Sequence, residues 1–249
     1  MLIIVYIKNK KALLSKASII NGAILGFLLF MTYASQTIGL KYTSSGHSAF
    51  ITGSAVVMAP LIMIFYFGHK ISKRTAASIA TVFIGLFMMT YDFKTVVNPG
   101  DWITLITALS YAIHIILAGR FVKQTEVLSL VTYQFLFTSL FALIGFLATA
   151  QNHTIELKSA SVYSIIYLGL IGTLFCYFVF VWAQKHVSSI KVALVFSLEP
   201  VFAAMFAYLF KHETLNFKEL CGGLVILIGV SFYHYMEYIN KAYVEKIDP

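Results

Sequence analysis

The chain has 249 residues, of which 59% are hydrophobic and only 11% charged, and its mean hydropathy is +0.85. Soluble domains carry about 25% charged residues, so this composition excludes an ordinary soluble domain and predicts an integral membrane protein. The net charge of +8 on so apolar a chain reads as loop lysines that set orientation, not as a nucleic-acid surface.

The first seven residues, MLIIVYI, are too short for a signal-peptide core, and Lys8, Lys10 and Lys11 follow them instead of preceding them, so no cleavable signal is expected. Beyond that fragment, uncharged runs separated by charged patches predict helices over 20–40, 48–67, 75–91, 102–119, 127–150, 159–184, 192–210 and 220–236. A helix of about 20 residues crosses the ~30 Å hydrocarbon core. The runs are continuously apolar and do not alternate with period two, which excludes a membrane β-barrel. The fold class expected is therefore an all-α polytopic membrane protein with about eight transmembrane helices.

Orientation follows from the basic residues. With the N-terminal loop cytoplasmic, the inside carries Lys8, Lys10, Lys11, Lys16, Lys70, Lys73, Arg74, Arg120, Lys123, Lys185, Lys191, Lys241 and Lys246, and the outside only Lys41, Lys94, Lys158, Lys211 and Lys218. The positive-inside rule then places both termini in the cytoplasm. Short loops leave no room for a soluble catalytic domain. Asn152-His153-Thr154 matches a glycosylation sequon, a pattern too short to carry weight. Cys176 and Cys221 fall in apolar runs without metal-type spacing, so neither a zinc site nor a disulfide is expected. No cofactor is implied.

Sliding the chain on itself by 144 residues, from Lys41 to Lys185, aligns it without gaps as far as Tyr91 and Tyr235. Identities include Ser44/Ser188, Ser45/Ser189, Ala49/Ala193, Ala59/Ala203 and Gly85/Gly229, and the span boundaries coincide. The orientation above puts the Lys41 loop outside and the Lys185 loop inside, so the two copies are inverted. Inverted repeats are an architecture of secondary transporters that work by alternating access. The expected division is an incomplete first repeat, 1–95, whose start is the tail of a second helix, and a complete five-helix second repeat, 96–249. On that offset the first repeat is about 42 residues short of the second.

The segment ALVFSLEPVFAAMFAYLFKHETLNFKELCGGLVILIGV, 193–230, resembles the second-repeat signature of the EamA family in the drug/metabolite transporter superfamily, with Glu213 matching its later glutamate. GLKYTSSGHSAFITGSAVVMAPL, 39–61, is similar to the first-repeat segment, with Pro60 matching its proline; His69 stands where the family usually has glutamate. The resemblance implies ten helices in two inverted five-helix repeats in a bacterial inner membrane, and export, uptake or exchange of small metabolites or drugs. The chain departs by lacking counterparts of the first helix and most of the second. The function expected is a secondary transporter with a small-molecule substrate; the alternatives are a non-transporting fragment or a misassigned start, and more weakly an intramembrane enzyme. No H-E-x-x-H, paired-aspartate or nucleophile-elbow pattern supports an enzyme.

Among polar residues within the spans, Glu199 is the foremost substrate or coupling candidate, because a charge at helix centre costs about 2.5 to 3.5 kcal/mol on insertion scales. Pro200 and Pro60 are expected to kink their helices, with the Ser197 hydroxyl satisfying the backbone group freed at Pro200. His114 shares a helical face with Ser110 and Tyr111, and it is the expected neutral or switchable hydrogen-bonder facing the cavity, weighed against a satisfied interhelical histidine. Tyr111, Gln134, Trp182, Gln36 and Tyr33 complete the candidates, each weighed against a packing role. Gln184, near a helix end, and His47, near a loop, read as interfacial. Gly22-x-x-x-Gly26, Gly222 and Gly223 are expected to allow close helix approach.

Overall fold

The computed structural model describes residues 14–91, 97–149, 159–212 and 214–247. The N-terminal fragment MLIIVYI, Lys94, the 152–154 sequon, Lys158 and Glu213 lie outside the described residues. Among those described the chain is helical and contains no strand. The helices are α1 (Lys16–Gly39), α2 (Ser45–Gly53), α3 (Ala55–Phe65), α4 (Lys73–Thr90), α5 (Pro99–Phe121) and α6 (Val127–Thr149). They continue with α7 (Ser159–Tyr167), a π-helical stretch (Leu168–Phe175), α8 (Cys176–Gln184), α9 (Ser189–Phe196), α10 (Glu199–Lys211) and α11 (Phe217–Ile247). Among the described residues, seven segments are long and apolar enough to cross a membrane. The remaining predicted span corresponds to α4, 18 residues that open on Lys73 and Arg74. The last helix continues to Ile247, well past the predicted end at 236.

Two of the predicted spans are each built from two helices. α2 stops at Gly53 and α3 starts at Ala55; α9 stops at Phe196 and α10 starts at Glu199. The two interruptions correspond through the 144-residue offset: Ser45 with Ser189, Ala55 with Glu199, and beyond them the starts of α4 and α11, Lys73 with Phe217. At each break a serine hydroxyl donates to a carbonyl three residues back, Ser54 Oγ to Ile51 O at 2.5 Å and Ser197 Oγ to Leu194 O at 2.5 Å. Such bonds occupy backbone acceptors in a medium where water is not at hand. Pro60 lies inside α3, six residues past the break in its span.

The chain divides into two compact units, 1–34 with 114–189 and 35–113 with 190–249. In the first, α1 meets α6 closely, since a Cβ on Gly26 would lie 2.7 Å from Gln134 O and 2.8 Å from Phe137 Cβ. The approach that Gly22-x-x-x-Gly26 predicted is therefore made, and Thr138 Oγ1 donates across it to Gly26 O at 3.1 Å. Small residues let membrane helices pack backbone to backbone, which replaces the hydrophobic drive that lipid removes.

In the second unit the tight pair is α4 against α11. A Cβ on Gly85 would meet Ile226 N at 2.7 Å and Gly222 O at 2.8 Å, and one on Gly229 would meet Val82 Cγ2 at 2.7 Å and Ser78 O at 3.2 Å. These contacts are reciprocal: shifting Gly85, Ile226 and Gly222 by 144 positions turns the first set into the second. Gly223 has nothing nearer than 3.9 Å and is no contact point. Helix starts are capped at equivalent places as well. Thr75 N donates to Ser72 Oγ at 3.0 Å, and Glu219 N to Asn216 Oδ1 at 2.9 Å while Asn216 N donates back to Glu219 Oε2 at 3.0 Å, a reciprocal capping box.

Within this unit the loops that the basic-residue count assigns to one side lie together. Thr43 reaches Asp101, and Lys218 Nζ donates to Tyr91 O. In the same unit, Lys191 of α9 pairs with Glu237 of α11 at 2.7 Å.

Candidate functional site

The first unit holds a cluster of neutral polar side chains that are fully buried. His114 on α5, Gln134 on α6 and Gln184 at the end of α8 are each 0% exposed. His114 Nε2 donates to Gln134 Oε1 at 3.3 Å, across the hairpin that α5 and α6 form. The imidazole stacks on Phe180 at 5.7 Å and takes the edge of Tyr177 at 5.8 Å. Gln184 Nε2 donates to the Ile115 carbonyl at 2.9 Å. Among the described residues His114 Nδ1, Gln134 Nε2 and Gln184 Oε1 have no hydrogen-bond partner. Two acceptors and an amide donor are thus enclosed without partners, and unmet hydrogen-bonding capacity in a buried place is costly.

This geometry brings together two residues that the sequence singled out separately, His114 and Gln134. It corrects the reading of Gln184 as interfacial: α8 ends against α5, near enough that a Cβ on Gly119 would lie 3.6 Å from Gln184 Oε1, and the side chain is enclosed. Tyr33 and Trp182, of the same unit, are exposed, and Trp182 packs edge-on against His186 at 5.2 Å. Gln36 and Tyr111, of the second unit, are half-buried, with Tyr111 tilted against Phe196 at 6.0 Å.

Glu199, also of the second unit, is the first residue of α10, and Pro200 follows in the first turn. A proline there costs no hydrogen bond, because the first turn's N–H groups have no partner within the helix. The chain therefore breaks before Pro200, at Ser197 and Leu198, instead of kinking at it. The Ser197 hydroxyl goes to Leu194 O and not to the carbonyl facing Pro200. Glu199 is exposed and sits at the positive end of the α10 dipole, a favourable place for a carboxylate.

His47 and Asp101 were not legible as a pair. His47 is buried, not interfacial, and its Nδ1 lies 3.5 Å from Asp101 Oδ2. The available signal was Asn98-Pro99-Gly100-Asp101, a helix start in which the acid three residues on accepts from Asn98 N at 3.0 Å. Both cysteines are free, and among the described residues no group of three His, Cys, Asp or Glu side chains gathers for a metal.

The pair on α5 and α6 yields a double-mutant cycle. His114→Leu leaves Gln134 Oε1 buried without its donor, and should cost about 1 to 3 kcal/mol of stability. His114→Leu combined with Gln134→Leu should cost less than the two single changes added, by thermal unfolding of the purified protein. Strict additivity would show that the two side chains do not act as a pair.

Among the described residues, a wholly helical architecture with seven membrane-length segments, spans broken at corresponding positions and buried neutral polar groups defines a polytopic membrane protein of transporter architecture. The chain belongs to the EamA-like transporter family, whose model matches residues 1–91 and 98–234. An "Uncharacterized transporter" of Archaeoglobus fulgidus is 25% identical over 210 residues, covering 84% of this chain and 67% of that protein. The "Uncharacterized transporter YdfC" of Bacillus subtilis is 26% identical over 227 residues, covering 89% of this chain and 73% of that one. A solved crystal structure superposes with a TM-score of 0.79 at 12% identity, over 94% of this chain and 82% of its own, which establishes a shared fold.

Proposed function

We propose that the protein is a secondary transporter, an exporter or exchanger of small metabolites or drugs, working by alternating access of two inverted repeats, 1–95 and 96–249. The observation that carries this reading is the pair of helix interruptions at positions 144 residues apart, with a carboxylate opening the helix after the second. Interrupted helices at corresponding positions of two repeats are the best pointer to a transporter's binding region, because irregular backbone survives in lipid only where it lines a cavity or is covered by protein. Glu199 is the proposed coupling carboxylate, and His114 and Gln134 the proposed neutral polar pair. Tyr111, Trp182, Gln36 and Tyr33 are proposed substrate contacts. The lysine and arginine count supports cytoplasmic termini, and the proposed location is a bacterial inner membrane.

The test is flux in proteoliposomes loaded with a pH-sensitive dye and offered amino acids, nucleobases and hydrophobic amines in turn. At least one class should dissipate an imposed pH gradient about tenfold faster than protein-free vesicles, a margin equal to about 1.4 kcal/mol in barrier height. No solute-dependent flux from any class would overturn the proposal.

A further inference from the structure

In the second unit the start of α4 and the stretch of α11 around Glu237 border a cavity of about 260 Å³, whose walls include Arg74, Thr75, Met236 and Glu237. It lies where α11 reaches the end of its apolar span, Phe217–Ile239, the depth at which lipid head groups begin. Glu237 is held by Lys191 at 2.7 Å, so its charge is balanced. Among the described residues, by contrast, no hydrogen bond or ion pair occupies the Arg74 guanidinium.

The 144-residue offset accounts for this unused cation. It pairs Arg74 with Lys218, the second residue of α11, whose ammonium donates to the Tyr91 carbonyl just past the end of α4. The carbonyl that corresponds to Tyr91 is that of Tyr235, but α11 runs on to Ile247, so it is taken up by the helix's own hydrogen-bond ladder. The offset also pairs Thr75 with Glu219, so the carboxylate in the first turn of α11 has no equivalent in α4. Arg74 thus borders the cavity without an acceptor, and a guanidinium fork matches a phosphate group, which it holds by two parallel bonds. We propose that this cavity binds the phosphate of an anionic membrane lipid, a phosphatidylglycerol-type diester, with the phosphate on Arg74 and the apolar part below it against Met236. Basic pockets between membrane helices suit such head groups, and the apolar wall favours a lipid over free phosphate. None of the residues invoked above for transport borders the cavity, so the proposal stands or falls independently of that reading.

The full-length chain, purified in detergent, is titrated in mixed micelles with dioleoylphosphatidylglycerol and with zwitterionic dioleoylphosphatidylcholine, and native mass spectrometry reads the first lipid bound. Phosphatidylglycerol should bind at least about fivefold more tightly than phosphatidylcholine, the scale of one basic contact near a membrane surface. Arg74→Gln should bring the two lipids to within about twofold of each other, and because Arg74 is exposed the change leaves the fold intact. Thr75→Glu gives α4 the acid that α11 carries at Glu219 and should remove the preference as well. It preserves the helix start, since an acid three residues past Ser72, the cap of α4, completes a capping box. Lys73→Gln removes a neighbouring charge that does not border the cavity, and it should leave phosphatidylglycerol affinity within about twofold of the parent. Inorganic phosphate in about tenfold excess over the lipid should not displace it. Equal binding of the two lipids by the parent, a preference unchanged in Arg74→Gln or in Thr75→Glu, an equal loss in Lys73→Gln, or displacement by inorganic phosphate overturns the proposal.

Discussion

Gly85→Val is expected to abolish recovery of the folded protein, while Gly169→Val leaves it unchanged. The physical difference lies in what a new side chain meets. At Gly85 a Cβ would sit 2.7 Å from Ile226 N and 2.8 Å from Gly222 O, backbone atoms of α11 that can move only if the helices separate. Overpacking a core usually costs about 1 to 3 kcal/mol, but here no rotamer relieves the clash and the contact is between helix backbones. At Gly169, in the π-helical stretch, nothing lies within 4 Å. Gly223→Val, beside the contact but with its nearest neighbour at 3.9 Å, should also be mild. Monodispersity on size exclusion and the midpoint of thermal unfolding in detergent give the readout. Gly229→Val should fail as Gly85→Val does, because the two glycines are related by the 144-residue offset and clash with corresponding residues. A Gly85→Val protein as stable as the parent would mean that α4 and α11 do not pack as described.

That prediction rests on features the sequence made legible and on one it did not. The spans were readable because lipid demands continuous apolar helices, and the offset of 144 was readable because three consecutive helix starts obey it. The location of the breaks was not. Proline is the visible helix breaker, yet Pro60 is accommodated within α3 and Pro200 within the first turn of α10. The interruptions fall where Ser54 and Ser197 bond local carbonyls, and serine is too common in membrane helices to announce this. His114 and Gln134 were each identifiable as polar groups in apolar runs. Their pairing depends on the rotation of α5 against α6, which nearly uniform hydrophobicity leaves unspecified. Gln184 and His47 are buried for a related reason that nearness to a helix end does not reveal: α8 ends against α5 and α2 begins beside Asp101.

Glu199→Gln should eliminate transport driven by a pH gradient while leaving the protein folded. Glutamine keeps the length and hydrogen-bonding capacity of the side chain and removes its charge and exchangeable proton. Glu199 opens α10 and is exposed, so the neutral substitute creates no cavity and breaks none of the packing at the α4–α11 contact. Its counterpart Ala55 is buried at 3% exposure and opens α3 without any charge, which shows that the break itself does not require a carboxylate. Stability should therefore change by less than about 1 kcal/mol, the scale of a helix-terminus charge. Flux should fall by about 100-fold or more, as the proposed coupling role of Glu199 requires. Glu199→Asp, which retains a titratable carboxylate one methylene shorter, should restore part of the flux. The measurement is dye-reported flux in proteoliposomes with matched protein incorporation, at several imposed gradients. Unchanged gradient dependence in a folded Glu199→Gln protein would remove Glu199 from coupling and leave the two interruptions as backbone features that transport must use without it.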